Sequence, residues 1–414
     1  MRQGMKLAEA PAMSGIKKII KAIYNPVNMK ILVITFSRGL NPGTFMQAYG
    51  VRTGLFKIFP DAEINYLSFP DFKWDKGKRG KKDFIGHVLL QKAFAAYRLL
   101  KYRKLEKKVF AYTPTIDLLD YDVNEAKAIL QNYDLVVVGS DTILEKVTGN
   151  SQQLGLNWGS SELCKAPHLF FAASASPANF SDDKQLLERL KGIAERFIYI
   201  GLRDGLTLDL FNNKMKVNVP VYKQPDPSYY LDINEFQLPE FYVRKLKGKK
   251  IAFYNFSPNF PYRKELADLI RRKGYTVASS VYNPYADIRI DTIGPKEWAG
   301  IFRYCDIIIT ERFHDSLFAL RNCKPVIAID WEKDRFSSTG DSKTYRILKD
   351  YNQQNYHFIL EDKNQLASII DKIPQLMSDF DTARIIRKNE EYVTLAMNLL
   401  KVIKQNYDEF LRLH

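Results

Sequence analysis

The chain has 414 residues, enough for two domains with their own cores, and 46% are hydrophobic, which excludes a disordered chain. A net charge of +15 favours anionic partners. No run of about 18 apolar residues occurs, so no segment is expected to span a bilayer, and three scattered cysteines (Cys164, Cys305, Cys323) suit a reducing cytoplasm rather than a disulfide framework or a zinc site.

Residues 1–28 read as an N-terminal extension, either disordered or a short basic amphipathic helix. Their apolar patch, Ile16 to Ile23, is interrupted by Lys17, Lys18 and Lys21, unlike a signal peptide. Lys30 to Phe36 is the first expected strand. The turn SRGLNPGT follows, then a helix with apolar spacing at Phe45, Tyr49, Leu55 and Phe56. Strand, glycine-containing turn and helix open a Rossmann-like unit. Glu63 to Phe69 is a second strand. A basic insertion at 72–110 is expected to be helical; from Lys73 to Lys108 it holds thirteen Lys and Arg against Asp75, Asp83 and Glu106. Further strands are expected at Asp134–Val138, His168–Ser174 and Phe197–Leu202, with a helix from Leu206 to Phe211. Tyr222 to Leu231, with two prolines, is expected to leave this first domain (29–234), and 235–250 to be a linker.

A second α/β series spans 251–380. Its expected strands are Ile251–Tyr254, Thr276–Val281, Ile307–Thr310 and Val326–Asp330, and Gly274 ends a helix over Arg263–Lys273. The tail, 381–414, carries a long helix from Thr382 that can cross back to the first domain. Alternating strands and helices imply parallel sheets covered on both faces. The expected architecture is α/β: two Rossmann-like domains facing a cleft, as in the GT-B fold.

Ligands in such sheets sit at the C-terminal ends of the strands. Arg312 and His314 fall there, between the strand at Ile307 and a helix packed through Phe313, Leu317 and Leu320. A guanidinium suits carboxylate or phosphate, and an imidazole exchanges a proton near neutral pH. A surface ion pair and a plain helix start are the structural alternatives. Asn41 and Gly43 shape a turn whose amides can hold an anion, although the spacing is not that of a dinucleotide loop. Gly139, Ser140 and Asp141 follow one strand, Ser174 ends another, and Arg203 and Asp204 follow a third. Asp141 and Asp204 suit helix caps equally well. Asp226, between two prolines, fits a turn or a hinge. Lys333, Arg335, Ser338 and Thr339 follow the last strand and can meet phosphate. No catalytic triad, P-loop, CxxC pair or HExxH motif occurs, and no metal site is expected.

In this order, NPGTFMQAY, LVVVGSD, LFFAASAS, YIGLRD, PDPSYYL and the block from Ile293 to Asp330 resemble the polysaccharide pyruvyl transferases, over about 29–370. Two positions depart from the family pattern: Asp315 stands where glycine is usual after the histidine, and Thr44 where an acidic or small residue is common. The resemblance implies a GT-B-like fold and transfer of the pyruvyl group of phosphoenolpyruvate to sugar hydroxyls of a glycan or lipid-linked glycan precursor. It implies His314 as general acid, Arg312 as donor ligand and Arg203 in support, with no cofactor beyond the donor substrate. A nucleotide-sugar glycosyltransferase on the same architecture is the alternative, and a non-catalytic glycan-binding member a third. The basic 73–108 segment suggests an anionic membrane surface rather than nucleic acid, hence a cytoplasmic protein, peripheral on the inner face of the cell membrane.

Overall fold

The structure, a computed structural model, describes residues 28–70, 85–149, 153–178, 180, 183–331 and 342–414. The extension at 1–27, much of the basic segment before Ile85, and Lys333, Arg335, Ser338 and Thr339 lie outside them.

The first sheet comprises β1 (Lys30–Ile34), β2 (Glu63–Ser68), β3 (Ala111–Thr115), β4 (Leu135–Val138), β5 (His168–Ala173), β6 (Tyr199–Leu202) and β7 (Val221–Lys223), in the order β3-β2-β1-β4-β5-β6-β7. The second comprises β8 (Ile251–Asn255), β9 (Thr276–Ser279), β10 (Ile288–Arg289), β11 (Ile307–Thr310), β12 (Val326–Asp330) and β13 (His357–Ile359), in the order β10-β9-β8-β11-β12-β13. Every pairing is parallel. The central strands are continuous apolar runs such as LVVV and IIIT, buried along their whole length, because helices cover both faces. Strand order reverses between β1 and β4 and between β8 and β11, and each reversal opens a crevice at the C-terminal edge.

The core strands match the sequence expectation closely, whereas β3, β7, β10 and β13 are additions. All four are sheet edges. They are short or half-exposed, and β3 contains Pro114, so they lack the apolar run that marks a buried strand. Tyr222 belongs to β7, so the chain leaves the first sheet after Lys223, and the segment 235–250 carries a helix, Glu240–Leu246.

Several helices set the geometry of the cleft. These are α1 (Pro42–Ile58), α2 (Ile85–Val109), α3 (Gly205–Asp209), α4 (Arg263–Arg272), α5 (Phe313–Arg321), α6 (Lys343–Asp350) and α7 (Thr382–Leu413). At the end of α4, Gly274 adopts φ +81°, the left-handed cap read from the sequence. Helix α7 begins against the second domain, where Asn389 Nδ2 donates to the Leu320 carbonyl at 3.1 Å. It ends on the first, where Asn406 Nδ2 donates to the Ile198 carbonyl at 2.6 Å and Tyr407 packs edge-on against Phe59. Among the described residues no helix is long and apolar enough to cross a membrane.

Helix α1 lies hard against the turn Pro227–Tyr230. A Cβ on Gly50 would collide with the Pro227 carbonyl, and one on Gly54 would touch the Tyr230 ring. Backbone, unlike a side-chain tip, cannot yield cheaply. Gly50→Ala is therefore expected to destabilise the protein by about 1–3 kcal/mol, read as a lower urea midpoint than that of a Gly192→Ala control, where no atom lies within 4 Å.

Candidate active site

The two C-terminal sheet edges face each other across a cavity of about 540 Å³. From the first domain it receives Arg38 and Asn41 after β1, Asp141 after β4 and Arg203 after β6. From the second it receives Arg312, His314 and Asp315 after β11, Asp330 at the end of β12, and Lys343 at the start of α6.

Arg203 is the fixed point. Its side chain is only 6% exposed, and its two terminal nitrogens reach Asp141 Oδ1 and Asp226 Oδ2, each at 3.1 Å. The guanidinium also lies over the Phe313 ring, 4.9 Å from its centre. Burial disfavours its charge, but the carboxylates of Asp141, Asp226 and Asp204 more than offset this and hold its pKa above the ordinary value. A planar two-sided fork is what this arrangement needs; lysine offers a single point.

Asp226 does two things. It caps the turn after it, accepting from the Ser228 amide at 2.9 Å. Its Oδ2 also stands 3.6 Å from His314 Nε2. Burial pushes the Asp226 carboxyl up, but His314, Arg203 and the Ser228 amide together hold it well below the carboxylate range. Asp141 is likewise held low: burial is outweighed by Arg203, Lys343 and His314.

His314 sits in the first turn of α5, 10% exposed, with Nε2 lacking a hydrogen-bond partner within normal range. Its ring presses on Gly43 of α1; a Cβ there would fall on the imidazole. Gly43 is thus where the first domain makes room for the histidine of the second. Arg312 precedes α5 as its cap residue. Its Nε is buried without a partner, and among the described residues it forms no ion pair. Asp315 points into the second domain, where Oδ2 accepts from Asn255 Nδ2 at 2.7 Å and Thr310 Oγ1 at 2.8 Å. Burial raises its pKa.

Several expected site residues stand behind the cavity wall. Ser140 is fully buried and donates to Gln47 Oε1. Gly139 backs onto the Phe171 carbonyl at φ +122°. Ser174 is fully buried and accepts from the Ser176 amide at 3.3 Å. Asp204 caps α3 through the Thr207 amide at 2.9 Å. These four shape the strand-to-loop corners. Asn41 lines the cavity but spends its side chain on the Gly43 amide at 3.0 Å, which removes that amide as an anion donor. The sequence reading omitted Arg38 and Lys343. Arg38 stacks on Tyr112 at 4.1 Å and lies in the loop after β1, a position the same strand-edge rule could have flagged. Lys343 arrives only through the tertiary fold. A further buried group sits at the cavity edge: Asp330 accepts from Thr344 Oγ1 at 2.8 Å and lies 2.7 Å from His357 Nε2. Among the described residues no group of three or more His, Cys, Asp or Glu gathers as metal ligands, and all three cysteines are free.

The family model for polysaccharide pyruvyl transferase matches residues 41–333. The chain belongs to that family. No curated protein matches it. Solved structures similar in fold include a Listeria monocytogenes protein assigned as a UDP-N-acetylglucosamine 2-epimerase (9% identity, 92% of this chain and 97% of that one, TM-score 0.54). Arabidopsis thaliana UGT89C1 aligns at 10% identity over 92% of this chain and 98% of its own, with TM-score 0.52. Medicago truncatula UGT71G1, solved with UDP-glucose, aligns at 11% identity over 95% and 100%, with TM-score 0.50. At such identities the likeness is one of fold: two parallel-sheet domains in the GT-B arrangement.

The depressed Asp226 pKa fixes a sign. Above the ordinary carboxyl range, near pH 4, the group is ionised in both folded and unfolded chains and its full contribution is present. Below that, the unfolded chain binds a proton that the folded carboxylate refuses, and stability falls. Between about pH 5 and pH 3 the wild-type melting temperature is expected to drop more steeply than that of Asp226→Asn; equal slopes would place the acid sensitivity elsewhere.

Proposed function

We propose that this family member transfers the pyruvyl group of phosphoenolpyruvate to a pair of hydroxyls on a glycan or lipid-linked glycan, forming a cyclic ketal and releasing phosphate. The observation that carries this is the unpaired Arg312 beside His314 at the meeting of the two sheet edges, with Arg38 and Lys343 on the same cavity. A small ligand carrying both carboxylate and phosphate suits this set of cations.

The chemistry follows from the substrate. His314 delivers a proton to the methylene carbon, and C2 becomes an oxocarbenium centre. A sugar hydroxyl adds to C2 and gives up its proton. The C2–O bond to phosphate then breaks, phosphate leaves with the electron pair, and the second hydroxyl closes the ring, losing its own proton. One of the two hydroxyl protons replaces that spent on the methyl group and the other leaves with phosphate. Asp226 Oδ2, 3.6 Å from Nε2, stands beside the ring nitrogen and orients it. Arg203 keeps that carboxylate charged and in place. Carboxylates held as low as Asp141 and Asp226 are poor bases, so the departing phosphate is the better proton acceptor.

Phosphate release from phosphoenolpyruvate with a panel of oligosaccharides bearing free hydroxyl pairs tests the reading. His314→Ala is expected to lose at least about a hundredfold in rate. Arg312→Lys, without the planar fork, is expected to raise KM for phosphoenolpyruvate about tenfold or more. Calorimetry decides the donor: tight binding of a sugar nucleotide with no heat from phosphoenolpyruvate would leave the glycosyltransferase reading in its place.

A further inference from the structure

Helix α2 has two faces with different employment. The inner face joins the domains. Phe94 stacks on Tyr282 of the second domain with ring centres 6.0 Å apart. Arg98 donates to the Ser280 carbonyl there and to the Leu40 carbonyl of the first domain, both at 3.3 Å. Lys101 pairs with Glu297, Tyr102 is fully buried, and Glu106, the one acid in the helix, is buried too.

The outer face is turned to solvent. Lys92, Arg103, Lys104, Lys107 and Lys108 are exposed along it, and between them stand Tyr97 (55% exposed) and Leu100 (68% exposed). At 100° per residue these seven positions fall within one arc somewhat under half the circumference. From Lys92 to Lys108 the strip is roughly 24 Å long. No carboxylate interrupts it. A solvated helix face has no use for a leucine and a tyrosine among five cations. A polyanion in water would reward the charges alone. A lipid surface rewards both, since ammonium and guanidinium groups meet headgroup phosphates while the apolar side chains enter the interfacial layer.

We infer that the outer face of α2 docks on an anionic lipid bilayer. The same helix holds Leu40, and Leu40 lines the cleft. Docking therefore sets the cavity beside the lipid surface, where an acceptor sugar carried on a lipid would be presented. That last clause rests on the proposed transfer reaction; the docking itself does not.

Flotation of the full chain with vesicles tests it. Phosphatidylcholine vesicles with and without about a third phosphatidylglycerol are compared at about 0.1 M and about 0.5 M salt. Binding is expected only with the anionic lipid and at the lower salt. Lys104→Glu, Lys107→Glu and Lys108→Glu combined should reduce the lipid-bound fraction at least about tenfold, and Leu100→Gln alone severalfold. Should the triple Glu variant fail to fold, judged by its melting temperature, the Lys→Gln triple takes its place with a smaller expected loss. Absence of binding, equal binding to neutral vesicles, or unchanged binding of the triple variant overturns the inference, as does tighter retention on single-stranded RNA than on vesicles. Phosphate release with soluble acceptors, run in parallel, separates the two ideas: lipid docking without transfer would end the transfer reading and leave the docking surface standing.

Discussion

A buried guanidinium between two carboxylates organises this molecule. Arg203 follows β6, Asp141 follows β4, and Asp226 lies on the segment leaving β7, so one charge ties three loops of the first sheet. Removing a buried charge from water is costly unless it is paired and hydrogen-bonded. Once Arg203 is there, the positions of both carboxylates are largely dictated. Asp226 then extends the arrangement across the domain boundary to His314. The chemistry proposed for His314 thus leans on a carboxylate that Arg203 holds in place. Gly43 completes the contact by offering bare backbone to the imidazole.

Much of this was legible in the sequence, and the pattern of success is physical. Strands such as IIIT and VIAID announce themselves because both their faces are buried. The residues just past them, Arg312 and His314, are placed by that fact alone. Edge strands with one open flank carry no such run and went unread. Among the candidate site residues, position after a strand proved too coarse a rule. Ser140, Ser174 and Asp204 obey it, yet each turns inward because a nearby donor or acceptor needs it: Gln47, the Ser176 amide and the Thr207 amide. Only the fold says which way a short polar side chain turns. Lys343 illustrates the reverse case, since no strand-edge signal precedes it and α6 brings it to the cavity.

Asp315 shows how a carboxyl beside the cavity can be absorbed. It follows the histidine directly and lines the cavity. Asn255 and Thr310 take up one of its oxygens, so the group is anchored to the second domain instead of projecting freely. The first turn of α5 carries His314 toward Gly43 beside it.

The long terminal helix has a mechanical implication. Because α7 starts against Leu320 and finishes on Ile198 and Phe59, the polypeptide passes between the halves twice, once beyond β7 and once along this helix. Two lobes joined by a single strap can swing in any direction; two lobes joined by a pair of straps can turn only about the line through both. Any turn of one lobe against the other is thereby restricted to something like a door on two pins, with the imidazole and its carboxylate partner on opposite leaves.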